Sequence, residues 1–276
     1  MSDSLKILTI GNSFTDSLAE YFPQAVRSAG CEVDFYRANF GGCELERHWS
    51  YICAEESSEI CRIYNGGTKM KDILAGNKWD IVTIQQASHA SWQWETYLPF
   101  AANIRDYIKK YAPQAEVVIQ QTWAYHPYDP RIRTGGEWGF DQQGMYERLT
   151  QCYKKLAAVL NARLIPAGKA VQLYRQKHPF AFAAYDPAEI SKLQWPDLPP
   201  MAGELVGSCS WKKNPAGEMV ISRDFIHLNA MGRYLQACVW FAFLFERSAR
   251  EIKFVPQEIS DSCAAELREL ANEAVR

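Results

Sequence analysis

The chain has no C-x-x-C pair, no apolar run long enough to cross a bilayer, and no block of like charge. Its eight cysteines stand apart, and none shows zinc-ligand spacing with a histidine, so the expectation is no metal site and reduced thiols in a cytoplasmic protein. The longest apolar run, Ala237 to Phe245, falls far short of the roughly 20 residues a membrane helix needs, and it reads as a buried helix. The opening "MSDSLKILTI" passes straight into "GNSF" without an A-x-A-like cleavage site. With a formal net charge of -2 and no basic stripe interleaved with aromatics, neither a nucleic acid nor a membrane is expected as partner. There is also no internal repeat, no low-complexity tract and no G-x-S-x-G elbow.

What is present is ample core material, with 47% of the 276 residues hydrophobic, arranged as short β-rich runs alternating with longer helical patterns. "LKILTI" (5–10), "EVDFYRA" (32–38), "WDIVTIQ" (79–85), "AEVVIQQ" (115–121) and "RLIPAG" (163–168) read as strands. Helices are expected over 18–30, 44–56, 68–76, 95–111 and 145–162. Such alternation argues for an α/β fold: a five-stranded parallel sheet with helices on both faces, in one domain over 1–276. The stretch 177–222, rich in proline and aromatics, is read as a lid or pocket wall.

In sheets of this kind functional residues gather beyond the carboxyl ends of the strands. The segment after the first strand is "GNSFTD", where a tight turn holds the Ser13 hydroxyl in the open and Asn12 braces it. Near the other end, "SRDFIHLNAMGRYL" (222–235) sets Asp224 and His227 three apart, just before a helix capped by Asn229. A serine hydroxyl attacks esters only with a base in hydrogen-bond reach and a third group orienting that base. Ser13, Asp224 and His227 supply those three chemical types.

At these residues the chain resembles the SGNH (GDSL-type) hydrolase superfamily, as an uncharacterised bacterial branch. "ILTIGNSFTDS" is similar to its first block, with G-N-S in place of G-D-S, and "DFIHLNAMGRYL" to its last. "NFGGCELERHW" is similar to the second block, whose glycine donates its N–H to the oxyanion. The resemblance implies a flavodoxin-like three-layer α/β/α sandwich and ester hydrolysis through an acyl-serine without a cofactor. It makes Ser13 the nucleophile, His227 the base and then acid, and Asp224 the orienting group. The oxyanion donors would be the N–H groups of Ser13 and Gly42 and a side chain after strand three. There the superfamily has an asparagine in a G-x-N-D block, whereas this chain reads Gln85, Gln86, Ala87, Ser88, His89. Gln86 is favoured on chemistry, and His89, at the asparagine position, is the alternative.

Asn12, Gln121 and Trp123 are read as substrate contacts, since amides beside a tryptophan suit a sugar. Trp92, Trp94, Trp138 and Trp211 fall in expected loops, where some of them can stack on a carbohydrate ring. The favoured substrate is therefore a small O-acyl, above all O-acetyl, ester of a carbohydrate or similar polar molecule. A thioesterase or lysophospholipase of the same fold is the alternative within this chemistry. A non-catalytic flavin-, nucleotide- or sugar-binding module is the alternative outside it.

Overall fold

In the computed structural model, which describes residues 3–132, 135–178, 192–198 and 204–276, the first apolar run becomes β1 (Ser4–Ile10). Its carboxyl half, Ile7 to Ile10, is buried on both faces, as expected of a central parallel strand. Four more parallel strands flank it: β2 (Glu32–Arg37), β3 (Ile81–Ile84), β4 (Glu116–Gln120) and β5 (Leu164–Ile165). The sheet order is β2-β1-β3-β4-β5, with Leu8 beside Val82 and Val82 beside Val117. This is the five-stranded sheet expected from the alternation. β5 is shorter than the stretch 163–168 because Pro166 ends it and a helix starts at the next residue.

Helices cover the sheet in two groups. On one side α3 (Leu45–Ser57), α4 (Met70–Ala75) and α5 (Phe100–Tyr111) pack together, and α6 (Gln142–Leu160) follows β4. On the other, α2 (Leu18–Ser28) and α7 (Ala167–Lys177) pack on α8 (Ala230–Leu244), which also carries α9 (Asp261–Val275). Helix α8 is the apolar run of the sequence, and Trp240 and Phe241 at its centre are fully buried. The result is a three-layer α/β/α sandwich. Among the described residues no helix is long and apolar enough to cross a membrane, and all eight cysteines are free thiols.

The periodicity does not disclose a second, two-stranded antiparallel sheet made of β6 (Val206–Lys213) and β7 (Met219–Leu228). Both strands mix exposed with partly buried positions, and polar residues interrupt their apolar ones on both faces, so no continuous apolar stripe marks them. Of the stretch 177–222, residues 179–191 and 199–203 lie outside the described residues, while 206–213 and 219–222 belong to this hairpin.

Candidate active site

Asn12 ends β1's exit and starts the one-turn helix α1 (Ser13–Asp16). Its Oδ1 accepts from the Phe14 N–H at 3.1 Å, and its backbone carbonyl accepts from Thr15 and Asp16. Ser13 thus occupies the first helical position, where a backbone N–H has no intrahelical acceptor. Far along the chain, β7 runs back to the rim of the main sheet, and Asn229 caps α8 by accepting from the Gly232 N–H. The end of β7 is tied to the loop after β4, since the His126 N–H donates to the Phe225 carbonyl at 2.8 Å.

These elements bring three distant residues into one line. Ser13 Oγ lies 2.9 Å from His227 Nε2, and His227 Nδ1 lies 2.6 Å from Asp224 Oδ2. The other Asp224 oxygen accepts from the backbone N–H groups of Ile226 and His227 at 2.8 and 3.0 Å. Burial alone would raise the Asp224 carboxyl. The bonds from the His227 ring and from the two N–H groups outweigh it and hold the group well below the usual carboxylate range. An ionised Asp224 must receive a proton at Nδ1, which leaves Nε2 as the acceptor facing the serine hydroxyl.

Gly42 follows β2 with φ +58, in the left-handed region that suits glycine, and it is exposed. Among the described residues the N–H groups of Ser13 and Gly42 donate to nothing. The two loops are joined directly, for Asn12 Nδ2 donates to the Cys43 carbonyl at 3.1 Å.

Other sequence expectations do not match the contacts found. Gln86 is fully buried, and its amide nitrogen is spent on Thr96, at 2.8 Å to the carbonyl and 3.0 Å to Oγ1. Its Oε1 accepts from the N–H groups of Leu45 and Ala87, so it clamps the β3 loop to α3 rather than offering a donor. His89 is half-exposed with Nε2 on Glu44 Oε1 at 2.9 Å. Asn12 is buried and fully engaged, a brace and not a substrate contact. Gln121 is buried too, bonded to Thr150 and to the Lys169 N–H between α6 and α7. Trp123 is wholly buried: its ring stacks on Phe14, and its Nε1 donates to the Ile226 carbonyl at 2.9 Å. An amphipathic tryptophan at a strand end fits a sugar platform or a core position equally well in sequence, and here the core claims it.

His48, which reads from the sequence as a packing or surface residue of the second expected helix, packs inside the protein and braces the site. Fully buried on α3, it donates from Nε2 to the Gly11 carbonyl at 2.8 Å, two residues before Ser13, while Nδ1 faces the Tyr64 hydroxyl. Burial lowers its pKa to about 4, offset only in part by the Gly11 bond, with the nearby Arg47 charge lowering it further. The imidazole is therefore neutral and acts as a brace.

Residues 6–179 match the family described as "Domain of unknown function (DUF4886)". A structure of a DUF4886 family protein from Bacteroides uniformis is 23% identical, covers 99% of this chain and 95% of its own, and superposes with a TM-score of 0.72, which establishes the fold. A proposed SGNH hydrolase from Slackia heliotrinireducens is 24% identical over 72% of this chain and 92% of its own, with a TM-score of 0.44. A proposed GDSL-like lipase from Parabacteroides merdae is 14% identical over 87% and 94%, with a TM-score of 0.49. No curated protein matches the chain.

Proposed function

Since the chain belongs to the DUF4886 family, whose function is unassigned, its activity has to be argued from the site, and we propose a serine ester hydrolase of the SGNH type. The observation that carries this reading is the unbroken hydrogen-bonded line Ser13–His227–Asp224 at the carboxyl rim of a parallel sheet. A flavin- or nucleotide-binding role would leave that line without a purpose.

In the proposed reaction Ser13 Oγ attacks the ester carbonyl carbon while His227 Nε2 takes the hydroxyl proton. Asp224 stabilises the imidazolium formed. The tetrahedral oxyanion is met by the N–H groups of Ser13 and Gly42. The proton on Nε2 then passes to the departing alkoxide, leaving an acyl-serine. A water activated by the same imidazole attacks that carbonyl, and collapse of the second intermediate returns the proton to Ser13 and releases the acid. With Gln86 Nε2 engaged on Thr96 and His89 Nε2 on Glu44, the third donor in this reading is His89 Nδ1, on the loop after β3, which requires the ring to carry both protons.

The finer assignment is a short O-acyl, above all O-acetyl, ester of a carbohydrate. It draws on Trp92 and Trp138, half-buried neighbours with ring centroids 5.3 Å apart on the loops after β3 and β4. Fluorophosphonate labelling, run beside a screen of acetylated sugars and short acyl esters, tests both levels. Ser13→Ala should abolish labelling and p-nitrophenyl acetate hydrolysis while the circular dichroism spectrum persists. Undiminished labelling of that variant removes the hydrolase reading, and preference for long acyl chains removes the carbohydrate ester.

A further inference from the structure

Beneath the Ser13 turn runs a chain of buried side-chain hydrogen bonds that crosses the sheet. Trp240 Nε1, on α8, donates to Gln120 Oε1 at 2.7 Å. Gln120 Nε2, at the end of β4, donates to Gln85 Oε1. Gln85 Nε2, just beyond β3, donates to Asn12 Oδ1 at 2.6 Å, and Asn12 Nδ2 donates to the Cys43 carbonyl at 3.1 Å. The four side chains are at most 1% exposed.

Its direction has one solution. At one end the Phe14 N–H can only donate and the Cys43 carbonyl can only accept, which sets the orientation of the Asn12 amide. At the other end the indole N–H can only donate, which sets Gln120. Gln85 between them can then only point its nitrogen at Asn12. Reversing any one amide would set oxygen against oxygen between fully buried side chains. Side contacts lock the chain further: Thr15 Oγ1 donates to Gln85 Oε1 at 2.6 Å, and Gln236 Nε2 on α8 donates to the Phe14 carbonyl at 2.8 Å.

We infer that Trp240, Gln120 and Gln85 are positioning residues, acting through Asn12 to set the Ser13 turn against the Gly42 loop; this rests on the hydrolase reading above. Aligned amides polarise one another in a low-dielectric interior, so each donor strengthens the next bond. The chain ends on the carbonyl of Cys43, the residue after Gly42. Its outcome is the spacing between the attacking oxygen and the Gly42 N–H, a geometry on which rate depends steeply. No stage of it touches substrate.

The test removes the most remote donor. Trp240→Phe deletes one N–H and keeps most of the ring volume. In the full chain, kcat for p-nitrophenyl acetate per fluorophosphonate-titrated site should fall by about tenfold with KM nearly unchanged. Combined with Gln85→Met the loss should be much less than the product of the two single losses, as expected of members of one unit. The side-chain amide protons of Gln85 and Asn12 should move upfield in Trp240→Phe spectra, a readout independent of turnover. Unchanged kcat and unchanged Asn12 resonances in a folded Trp240→Phe protein would overturn the relay. If Ser13→Ala still labels, the hydrolase reading fails instead, and the resonance shifts alone then decide whether the chain is coupled.

Discussion

The indole of Trp123 lies flat on the ring of Phe14, with centroids 4.1 Å apart and planes 6° from parallel. Phe14 follows Ser13 directly, and the Trp123 N–H is bonded to the carbonyl of Ile226, which precedes His227. One buried side chain therefore holds both the nucleophile's turn and the base's strand. Phe14 completes the contact by meeting the His227 ring at 5.8 Å, edge to face.

Trp123→Phe should keep the stack and lose the hydrogen bond. The expected cost is about 1–3 kcal/mol in urea unfolding, because the Ile226 carbonyl is left unsatisfied. Trp123→Ala should cost about 3–5 kcal/mol, as for other fully buried tryptophans. In both variants kcat should fall more than KM rises, since no substrate contact is removed.

Asp224→Asn retains the shape of the carboxylate but presents the wrong hydrogen-bonding group to Nδ1. Loss of the Nδ1 proton donor geometry turns Nε2 away from its role as acceptor for Ser13. Turnover should drop by about 10²–10⁴, read as kcat for p-nitrophenyl acetate, while fluorophosphonate labelling slows without disappearing.

His89→Ala should lower kcat by about 10²–10³ if its ring completes the oxyanion site, with thermal stability little changed because the side chain is half-exposed. Gln86→Ala should do the reverse in kind. It breaks bonds to Thr96, Leu45 and Ala87 inside the protein, so the unfolding midpoint moves first. Comparing the two variants by active-site titration and by melting separates donor from clamp.

Acid should weaken the fold before the carboxylates titrate. His48 is held down to about 4 by burial, and His126 also to about 4 by burial with the Arg175 charge adding to it. The unfolded chain takes up these protons near 6.5, so stability is full above that pH and declines as pH falls toward 4. For His48 the loss amounts to about 3 kcal/mol. The depressed Asp224 carboxyl extends the decline below the ordinary carboxylate range. Melting temperature against pH should show this slope, and His48→Asn should flatten it.

The Arg175–Glu204 pair, 3.3 Å apart and almost wholly buried, joins the loop after β4 to the start of the hairpin. Arg175 donates to the carbonyls of Ala124 and Tyr125, and Glu204 accepts from the N–H groups of Leu205 and Val206. Arg175→Met leaves a buried carboxylate and should destabilise the protein by about 3–5 kcal/mol in denaturant unfolding.

Much of this was legible from residues alone. The parallel strands announce themselves because both of their faces are covered, which makes Ile7–Ile10 and Ile81–Ile84 nearly continuous apolar runs. Ser13, Asp224 and His227 stand out because nucleophilic chemistry needs those three side-chain types, and their turn and cap signals are local. The hairpin carrying Asp224 was hidden because its strands, only partly buried, carry no strict apolar period. A lone amide in an apolar helix, Gln236, was the available sign that something buried needed a partner.

The residue order by itself determined the wound sheet, the turn that lifts residue 13 and the capped helix that follows residue 227, since each depends on neighbours a few positions away. Only the tertiary structure decided which polar side chains serve the site and which serve the scaffold. Asn12, Gln86, Gln121 and Trp123 look alike in sequence as polar or amphipathic groups near strand ends. Burial forced each to find a partner inside the protein, and the acceptors of their side-chain N–H groups lie from 10 residues away, for Gln86, to 103, for Trp123, on segments that meet only in space.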